Sequence, residues 1–278
     1  MKFSQENKRV IFIISITSDI GTALAERYAK KGYKIIGTYR STNNLDKLKK
    51  IPNSHLFYCD LSNKTSVRNF IEEYKKLGVE WDTFISCPGT QKPIGNFFNC
   101  DFDKWSNSIH INAIEQLRVL HELYLLRNKN KISNVVFFAG GGTNNAFPNY
   151  SAYTVSKIML IKMCELIDSE TKSLNTFIIG PGMTKTKMHY ETLNEGKEKA
   201  GEANYNKTAE FMKNEDGTSM EDIFRCIEWL CEQGKEVAGG RNFSVVYDKW
   251  GNEKLTEILK SNFNLYKLRR AGNDIKVD

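Results

Sequence analysis

Short apolar runs alternate along the chain with segments of helical period. Seven runs rich in β-branched and aromatic residues predict strands, at residues 10–16, 33–38, 55–58, 83–86, 134–138, 176–179 and 243–246. Between them the apolar residues stand three and four positions apart, as in Val67, Phe70, Ile71, Tyr74 and Leu77, in Ile109, Ala113, Leu117, Leu120 and Tyr124, and in Met220, Ile223, Ile227 and Leu230. This spacing predicts amphipathic helices.

Strands that are apolar on both faces and alternate with helices indicate a parallel sheet covered on both sides. We therefore expect an α/β fold with a Rossmann-type doubly wound parallel sheet of about seven strands, in a single domain over residues 1–278. A polar insertion at about 187–219 precedes the last helix and strand. It is either a substrate lid or a solvated surface helix. A C-terminal extension covers about 248–278.

Composition narrows the possible classes of protein. The chain has 278 residues, of which 40% are hydrophobic and 26% charged, and its net charge of +7 comes from basic residues spread along the chain. This balance suits an anionic ligand without requiring nucleic acid. The six cysteines form no CxxC pair, and the four histidines show no ligand spacing, so we expect no metal. The absence of an apolar N-terminal core, and of apolar runs near the ~20 residues that span a bilayer, predicts a cytoplasmic protein away from membranes.

The first predicted strand runs into a polar turn and then a helix. A helix N-terminus after a strand offers free N–H groups and the positive end of the helix dipole to a pyrophosphate. A serine before a helix is also an ordinary N-cap. The residues that would form this anion site are Ser15, Thr17, Ser18, Asp19, Ile20 and Gly21.

This turn resembles the TGxxxGxG turn of classical short-chain dehydrogenases/reductases. Ser15 and Asp19 stand at the first two glycine positions, and Gly21 is retained. The resemblance implies a nicotinamide dinucleotide cofactor. At the family's acidic, ribose-binding position the chain has Tyr39, followed by Arg40 and Ser41. Because a guanidinium can bind a ribose 2′-phosphate, NADP(H) is favoured over NAD(H).

Three further stretches carry the same resemblance, which covers about residues 10–246. The first stretch is similar to the family's pair that contacts adenine, and it consists of Asp60 and Leu61. The second stands where the family has NNAG, and it consists of Ser86, Cys87, Pro88 and Gly89. The third is similar to the PGxxxT turn that holds the nicotinamide carboxamide, and its residues are Pro181, Gly182, Thr184 and Thr186.

Residues 151–157, SAYTVSK, resemble the family's catalytic SAYxxSK motif. Tyr153 and Lys157 are four apart and share a helix face. The resemblance implies that Tyr153 is the general acid or base, with a phenol pKa lowered by the Lys157 ammonium, which also binds the nicotinamide ribose. Asn112 resembles the helix asparagine that orders a water for the proton relay.

The family's catalytic serine is missing, since Ala139 and Gly140 stand at its place. Losing one donor to the substrate oxygen costs on the order of 100- to 1000-fold in rate. Either Thr143 or the N–H groups of the glycine run 140–142 would have to replace it. The alternative is a catalytically impaired, nucleotide-binding relative. A sugar epimerase is disfavoured by the chain length and the lack of GxxGxxG.

The glycine run and the C-terminal segment are similar to a subgroup of bacterial short-chain reductases that accompany surface-polysaccharide and nucleotide-sugar genes. The resemblance implies a small carbonyl or alcohol substrate derived from a carbohydrate. It also implies a homodimer or homotetramer that uses the apolar faces of residues 109–125 and 153–166.

Overall fold

Seven parallel strands form one sheet in the computed structural model, which describes residues 9–214 and 216–271. The strands are β1 (Val10–Ile14), β2 (Lys34–Tyr39), β3 (His55–Tyr58), β4 (Thr83–Ser86), β5 (Ser133–Phe138), β6 (Leu174–Gly180) and β7 (Asn242–Ser244). Their order is β3-β2-β1-β4-β5-β6-β7, and each neighbouring pair is parallel. The predicted fold class is confirmed, and strand ends move by one or two residues at most.

Helices cover both faces of this sheet. They are α1 (Asp19–Lys30), α2 (Leu45–Lys49), α3 (Lys64–Leu77), α4 (Phe102–Ile109), α5 (Glu115–Leu123), α6 (Ser151–Glu170), α7 (His189–Ala200), α8 (Glu202–Lys213), α9 (Met220–Gln233), α10 (Lys235–Ala238) and α11 (Glu253–Ser261). The helix predicted from Ile109 to Tyr124 is not continuous, because the π-helical turn His110–Ile114 separates α4 from α5.

The polar insertion, which we call the lid segment (residues 187–219), contains α7 and α8. Helix α7 is broken at Gly196, which has φ 78°. The C-terminal extension contains α11. Parts of the predicted domain range lie outside the described residues, namely 1–8, 215 within the lid segment, and 272–278 within the extension.

The two core layers account for the uninterrupted apolar runs. All five residues of β1 are buried, and they alternate between the layers. Phe12 packs with Phe70 and other residues of one layer, whereas Ile13 belongs to the opposite layer. Because both faces of such a strand are buried, apolar side chains are favoured at every position, and its sequence is an uninterrupted apolar run.

A crevice forms where the strand order reverses. The chain leaves β1 toward β2 on one side, while β4 lies on the other side of β1. In open parallel sheets, ligands bind at this switch point beyond the carboxyl ends of the strands. Across residues 9–214 and 216–271, no helix has the length and apolar character needed to cross a membrane.

Candidate active site

The turn after β1 keeps the shape expected of a dinucleotide turn although two of its glycines are replaced. Ser15 adopts a left-handed φ of 55°. A Cβ at Gly21 would lie 2.6 Å from the Ser15 carbonyl oxygen, so only glycine fits at that position. Ser18 is the N-cap of α1, since its hydroxyl accepts the Gly21 N–H at 3.0 Å. Ser15 thus adopts the left-handed backbone conformation of the turn, and the close approach between backbone segments occurs at Gly21, the glycine that the chain retains.

Asp19 has a partner in the lid segment. Its Oδ2 accepts a hydrogen bond from the Lys187 backbone N–H at 2.7 Å. Because Ser18 does the capping, the Asp19 carboxylate is free to bind the lid at the N-terminus of α1. Thr17 and Ile20 lie in the same turn, and Thr17 is buried.

A cleft of about 970 Å³ opens beside this turn. Among its lining residues are Ser15, Arg40, Asp60, Leu61, Pro88 and Gly89. The Arg40 side chain is 62% exposed, and its Nη1 is 3.9 Å from Asp60 Oδ1. Tyr39 packs edge-on against Tyr58, and Ser41 accepts the Asn43 N–H. The adenosine side of the predicted cofactor site is thus assembled and open, with a guanidinium at its rim.

The carboxyl end of β4 is braced by a residue that the sequence reasoning missed. Gln116 on α5 is fully buried. Its Oε1 accepts the Ser86 hydroxyl at 2.8 Å, and its Nε2 donates to the carbonyl oxygens of Asn112 at 2.7 Å and Pro88 at 3.4 Å. One glutamine from a neighbouring helix therefore supports the turn in which the family has two asparagines. No local pattern marks it, because it lies among the buried positions of an amphipathic helix.

Asn112 lies in the π-helical turn, and both of its polar groups have protein partners. Its side chain accepts the Thr90 N–H at 2.9 Å and donates to the Thr90 carbonyl at 2.8 Å. Its own carbonyl accepts from Gln116. The asparagine expected to order a relay water thus holds the loop after β4.

Tyr153 and Lys157 are buried together on α6, with the Lys157 ammonium 5.6 Å from the Tyr153 ring centre. The expected lowering of the phenol pKa is wrong for the polypeptide by itself. Burial, with the negative charge of Glu191, raises the pKa of Tyr153 to about 12. Burial also lowers the pKa of Lys157 to about 8. Desolvation is the largest cause of both shifts.

The Tyr153 ring occupies the space that a side chain at Gly140, where the family has its serine, would need. A Cβ built on Gly140 would lie 2.1 Å from Tyr153 Oη and 2.5 Å from Cζ. The Thr143 hydroxyl donates to the Gly140 carbonyl at 3.2 Å. The backbone N–H groups of residues 140–142 have no acceptor among the described residues. These N–H groups therefore keep their hydrogen-bonding capacity, whereas the Thr143 hydroxyl already has a partner.

The turn after β6 leads into the lid segment near Tyr153 and Lys157. Gly182 has φ 75°, and the buried Thr184 donates to the Pro181 carbonyl at 3.4 Å. The Thr186 carbonyl accepts the His189 N–H at the start of α7. Beyond it, the Met188 methyl group lies 2.7 Å from the position that a Gly89 Cβ would take, and Lys157 Nζ is 4.0 Å from that point. A flexible side chain thus covers the nicotinamide end of the crevice.

Glu191 is a second residue that the sequence reasoning missed. It extends from α7 to the loop after β4, where its carboxylate accepts the Gln91 N–H at 2.6 Å and the Thr90 hydroxyl at 3.1 Å. Burial raises its pKa. In sequence it is one acidic residue in a polar stretch, and only the fold brings it near Tyr153.

The predicted cofactor and catalytic residues thus lie along one edge of the sheet, at the switch point. The left-handed Ser15, the close approach at Gly21 and the cleft beside Arg40 and Asp60 fit a nicotinamide dinucleotide, and the Met188 side chain over Gly89 would have to turn aside. No group of three His, Cys, Asp or Glu side chains able to hold a metal occurs in the part of the chain that the structure describes.

Comparisons with known proteins agree with this geometry. The family model described as enoyl-(acyl carrier protein) reductase matches residues 15–246. Dehydrogenase/reductase SDR family member 4 of Rattus norvegicus is 21% identical over 85% of this chain and 85% of its own. A short-chain dehydrogenase/reductase structure from Saccharomyces cerevisiae superposes with TM-score 0.75, at 18% identity, over 90% of this chain and 98% of that one.

A second solved structure is a short-chain dehydrogenase of Shigella flexneri complexed with NADP. It superposes with TM-score 0.70, at 19% identity, over 86% of this chain and 97% of that one. At such identities the structures establish the fold, while the family model, which covers most of the chain, establishes the family. The chain therefore belongs to the classical short-chain dehydrogenases/reductases, a family of oxidoreductases that act on small molecules.

Proposed function

We propose that this protein is an NADP(H)-dependent carbonyl reductase or alcohol dehydrogenase. The observation that carries the proposal is the burial of Tyr153 and Lys157 together at the switch point, beside a turn shaped for a dinucleotide. Paired buried groups with strongly shifted pKa values are typical of catalytic centres. The impaired-relative alternative is less favoured, because the proton donor and its lysine partner are both in place.

In this mechanism the dinucleotide supplies or accepts the hydride. The phenol of Tyr153, with its pKa of about 12, is protonated at neutral pH and donates that proton to the oxygen of the carbonyl as it is reduced. The Lys157 ammonium, with its pKa of about 8, is still mostly charged at pH 7 and stabilises the phenolate that forms. The N–H groups of residues 140–142 donate to the same substrate oxygen, and this contact takes over the role of the family's serine hydroxyl. Met188 and the lid segment exclude water.

Replacing Tyr153 tests the enzyme assignment. Tyr153→Phe removes only the proton donor, so turnover of a panel of keto sugars and other carbonyl compounds should be lost while NADPH binding stays within about twofold. Thr143→Val is the companion variant, and we expect it to retain most activity because its hydroxyl already bonds Gly140. Binding of NADPH without hydride transfer in the wild type, unchanged in Tyr153→Phe, would support the binding-protein alternative.

Arg40 is the basis for preferring NADP(H). Its guanidinium is exposed at the open adenosine side, where it can form a charge-assisted contact with a 2′-phosphate. Arg40→Ala should remove most of the preference for NADPH over NADH, on the order of 10- to 100-fold in Kd. The exposed Arg68 on α3, which does not line the cleft, provides the matched control. Equal affinities for the two cofactors in the wild type would refute this assignment.

The remaining expectations belong to the same proposal. They are a cytoplasmic protein, a carbohydrate-derived substrate, a lid role for residues 187–219, and a homodimer or homotetramer. Helix α6 exposes Val155, Met159 and Leu166 at 43%, 38% and 41%, which supports a subunit contact. Light scattering at micromolar concentration should show the oligomer, and a strict monomer would contradict it.

A further inference from the structure

Glu191 is a half-buried carboxylate near Tyr153, and it forms no salt bridge among the described residues. No Lys, Arg or His nitrogen within residues 9–214 and 216–271 lies within 4.0 Å of it. Lys92, the basic residue nearest along the loop, pairs with Glu195 at 3.4 Å. A half-buried charge without a direct ion-pair partner is costly unless hydrogen-bond donors surround it.

The donors present on the protein are too few to satisfy this group. A carboxylate has about four lone-pair positions. Thr90 offers one hydroxyl proton, shared between both oxygens at 3.1 Å, and Gln91 offers one N–H at 2.6 Å to Oε2. Lys92 also favours the charged form of Glu191, but its N–H donates to the Thr90 hydroxyl at 3.2 Å and its ammonium pairs with Glu195. Oε1, which accepts only the shared Thr90 proton, therefore retains capacity for a further donor.

Glu191 lies close to the site, because it binds Thr90, and a Cβ on the preceding Gly89 would lie 4.0 Å from Lys157 Nζ. Glu191 lines the same cleft as Gly89 and Thr90. Its charge acts on Tyr153, because it contributes to the raised pKa of that phenol. The lid helix α7 thus brings a hydrogen-bond acceptor to the region around the reacting carbonyl.

We propose that Glu191 selects the substrate: its carboxylate accepts a hydrogen bond from a hydroxyl or ammonium group on a carbon next to the carbonyl that Tyr153 protonates. This inference rests on the proposed reductase function and narrows its substrate class. A substrate with an alkyl group there would bury the carboxylate without a donor, and an anionic group would be repelled. Hydroxylated or amino-substituted carbonyl compounds are therefore preferred over simple ketones and 2-oxo acids.

Three small ketones test this preference, because they share the same acetyl group and differ at one position. Hydroxyacetone presents a hydroxyl, aminoacetone an ammonium, and 2-butanone a methyl group of similar size. With NADPH, we expect kcat/KM in the wild type to be on the order of 10- to 100-fold higher for the first two than for 2-butanone, as for a hydrogen bond to a charged group.

Two variants separate the charge of Glu191 from its contact with the loop. Glu191→Gln keeps an acceptor for Thr90 and Gln91 but loses the charge, so the advantage of aminoacetone should disappear while that of hydroxyacetone shrinks less. Glu191→Leu should bring hydroxyacetone down to the level of 2-butanone. The control is Glu202→Gln, since Glu202 is 75% exposed on α8 and outside the cleft lining, and it should keep wild-type ratios.

A binding measurement keeps the inference testable without turnover. Propane-1,2-diol and 2-butanol form dead-end complexes with the NADPH-loaded protein, read from cofactor fluorescence. The diol should bind more tightly in the wild type, and the difference should vanish in Glu191→Leu. Equal binding, or equal kcat/KM for 2-butanone and hydroxyacetone, overturns the role of Glu191 and leaves the reductase assignment intact. Tighter diol binding with no reduction of any ketone supports Glu191 and refutes the reductase.

Discussion

Restoring the family's serine at position 140 should impair this protein. A Cβ at Gly140 would lie 2.1 Å from Tyr153 Oη, 2.5 Å from Cζ and 2.6 Å from Cε1, so the phenol would have to retreat by more than about 1 Å to reach an ordinary contact. Tyr153 is only 7% exposed, which leaves little room for that movement. Overpacking of this kind costs about 1 to 3 kcal/mol of folding free energy.

The catalytic cost follows from the displaced proton donor. A misplacement of about 1 Å lowers rates on the order of 100-fold. We therefore expect Gly140→Ala and Gly140→Ser to reduce kcat to a similar extent and to lower the urea midpoint, with the added hydroxyl giving no recovery. The paired variants matter because alanine adds only the Cβ, whereas serine adds the Cβ and the missing donor.

Gly141→Ala provides the matched control. Its Cβ would meet only the Phe147 ring, at 3.3 Å, so stability and kcat should change little. If Gly140→Ser raised kcat while Gly140→Ala left it unchanged, the close packing of Tyr153 on residue 140 would not describe the working enzyme, and the reasoning would be refuted.

Two further predictions concern buried charges. Burial places the pKa of Lys157 at about 8, below its ordinary 10.5, so between these values the unfolded chain binds a proton that the folded chain lacks and stability rises with pH. Without dinucleotide, the free energy of unfolding of the wild type relative to Lys157→Met should rise by about 2 to 3 kcal/mol from pH 8 to 10, and parallel urea-unfolding curves would contradict this. Arg241 is 1% exposed and donates to five carbonyl oxygens around α10 and α11, including Val237 at 2.5 Å and Leu259 at 2.6 Å. Arg241→Met should lower the unfolding free energy by about 3 kcal/mol, and a loss below about 1 kcal/mol would show that water replaces the guanidinium.

Local signals in the sequence were sufficient to predict the fold and the pairing of Tyr153 with Lys157 on one helix face. Apolar runs bounded by turn residues mark β1 to β7, because a doubly buried strand needs such residues whatever its neighbours are. Tyr153 and Lys157 were readable because one helical turn places them on one face. Gly21 was readable as the one glycine that the turn still requires.

Contacts between distant segments were decided only by the tertiary structure. Glu191 reaches Gln91 across 100 positions, and Asp19 binds the Lys187 N–H across 168. Gln116 braces Ser86 from another helix. None of these side chains belongs to a periodic pattern or a motif, so nothing local distinguishes them from solvated polar residues.

The pKa of Tyr153 shows the physical reason most directly. Sequence spacing places an ammonium one turn away and therefore predicts a lowered value. In the folded chain the direction is the opposite, because the packing around α6 removes water from the phenol and Glu191 brings a negative charge close to it, so the pKa of Tyr153 is raised. Spacing along a helix is a local property, whereas desolvation depends on every segment that covers the site, and only the folded chain determines which segments those are.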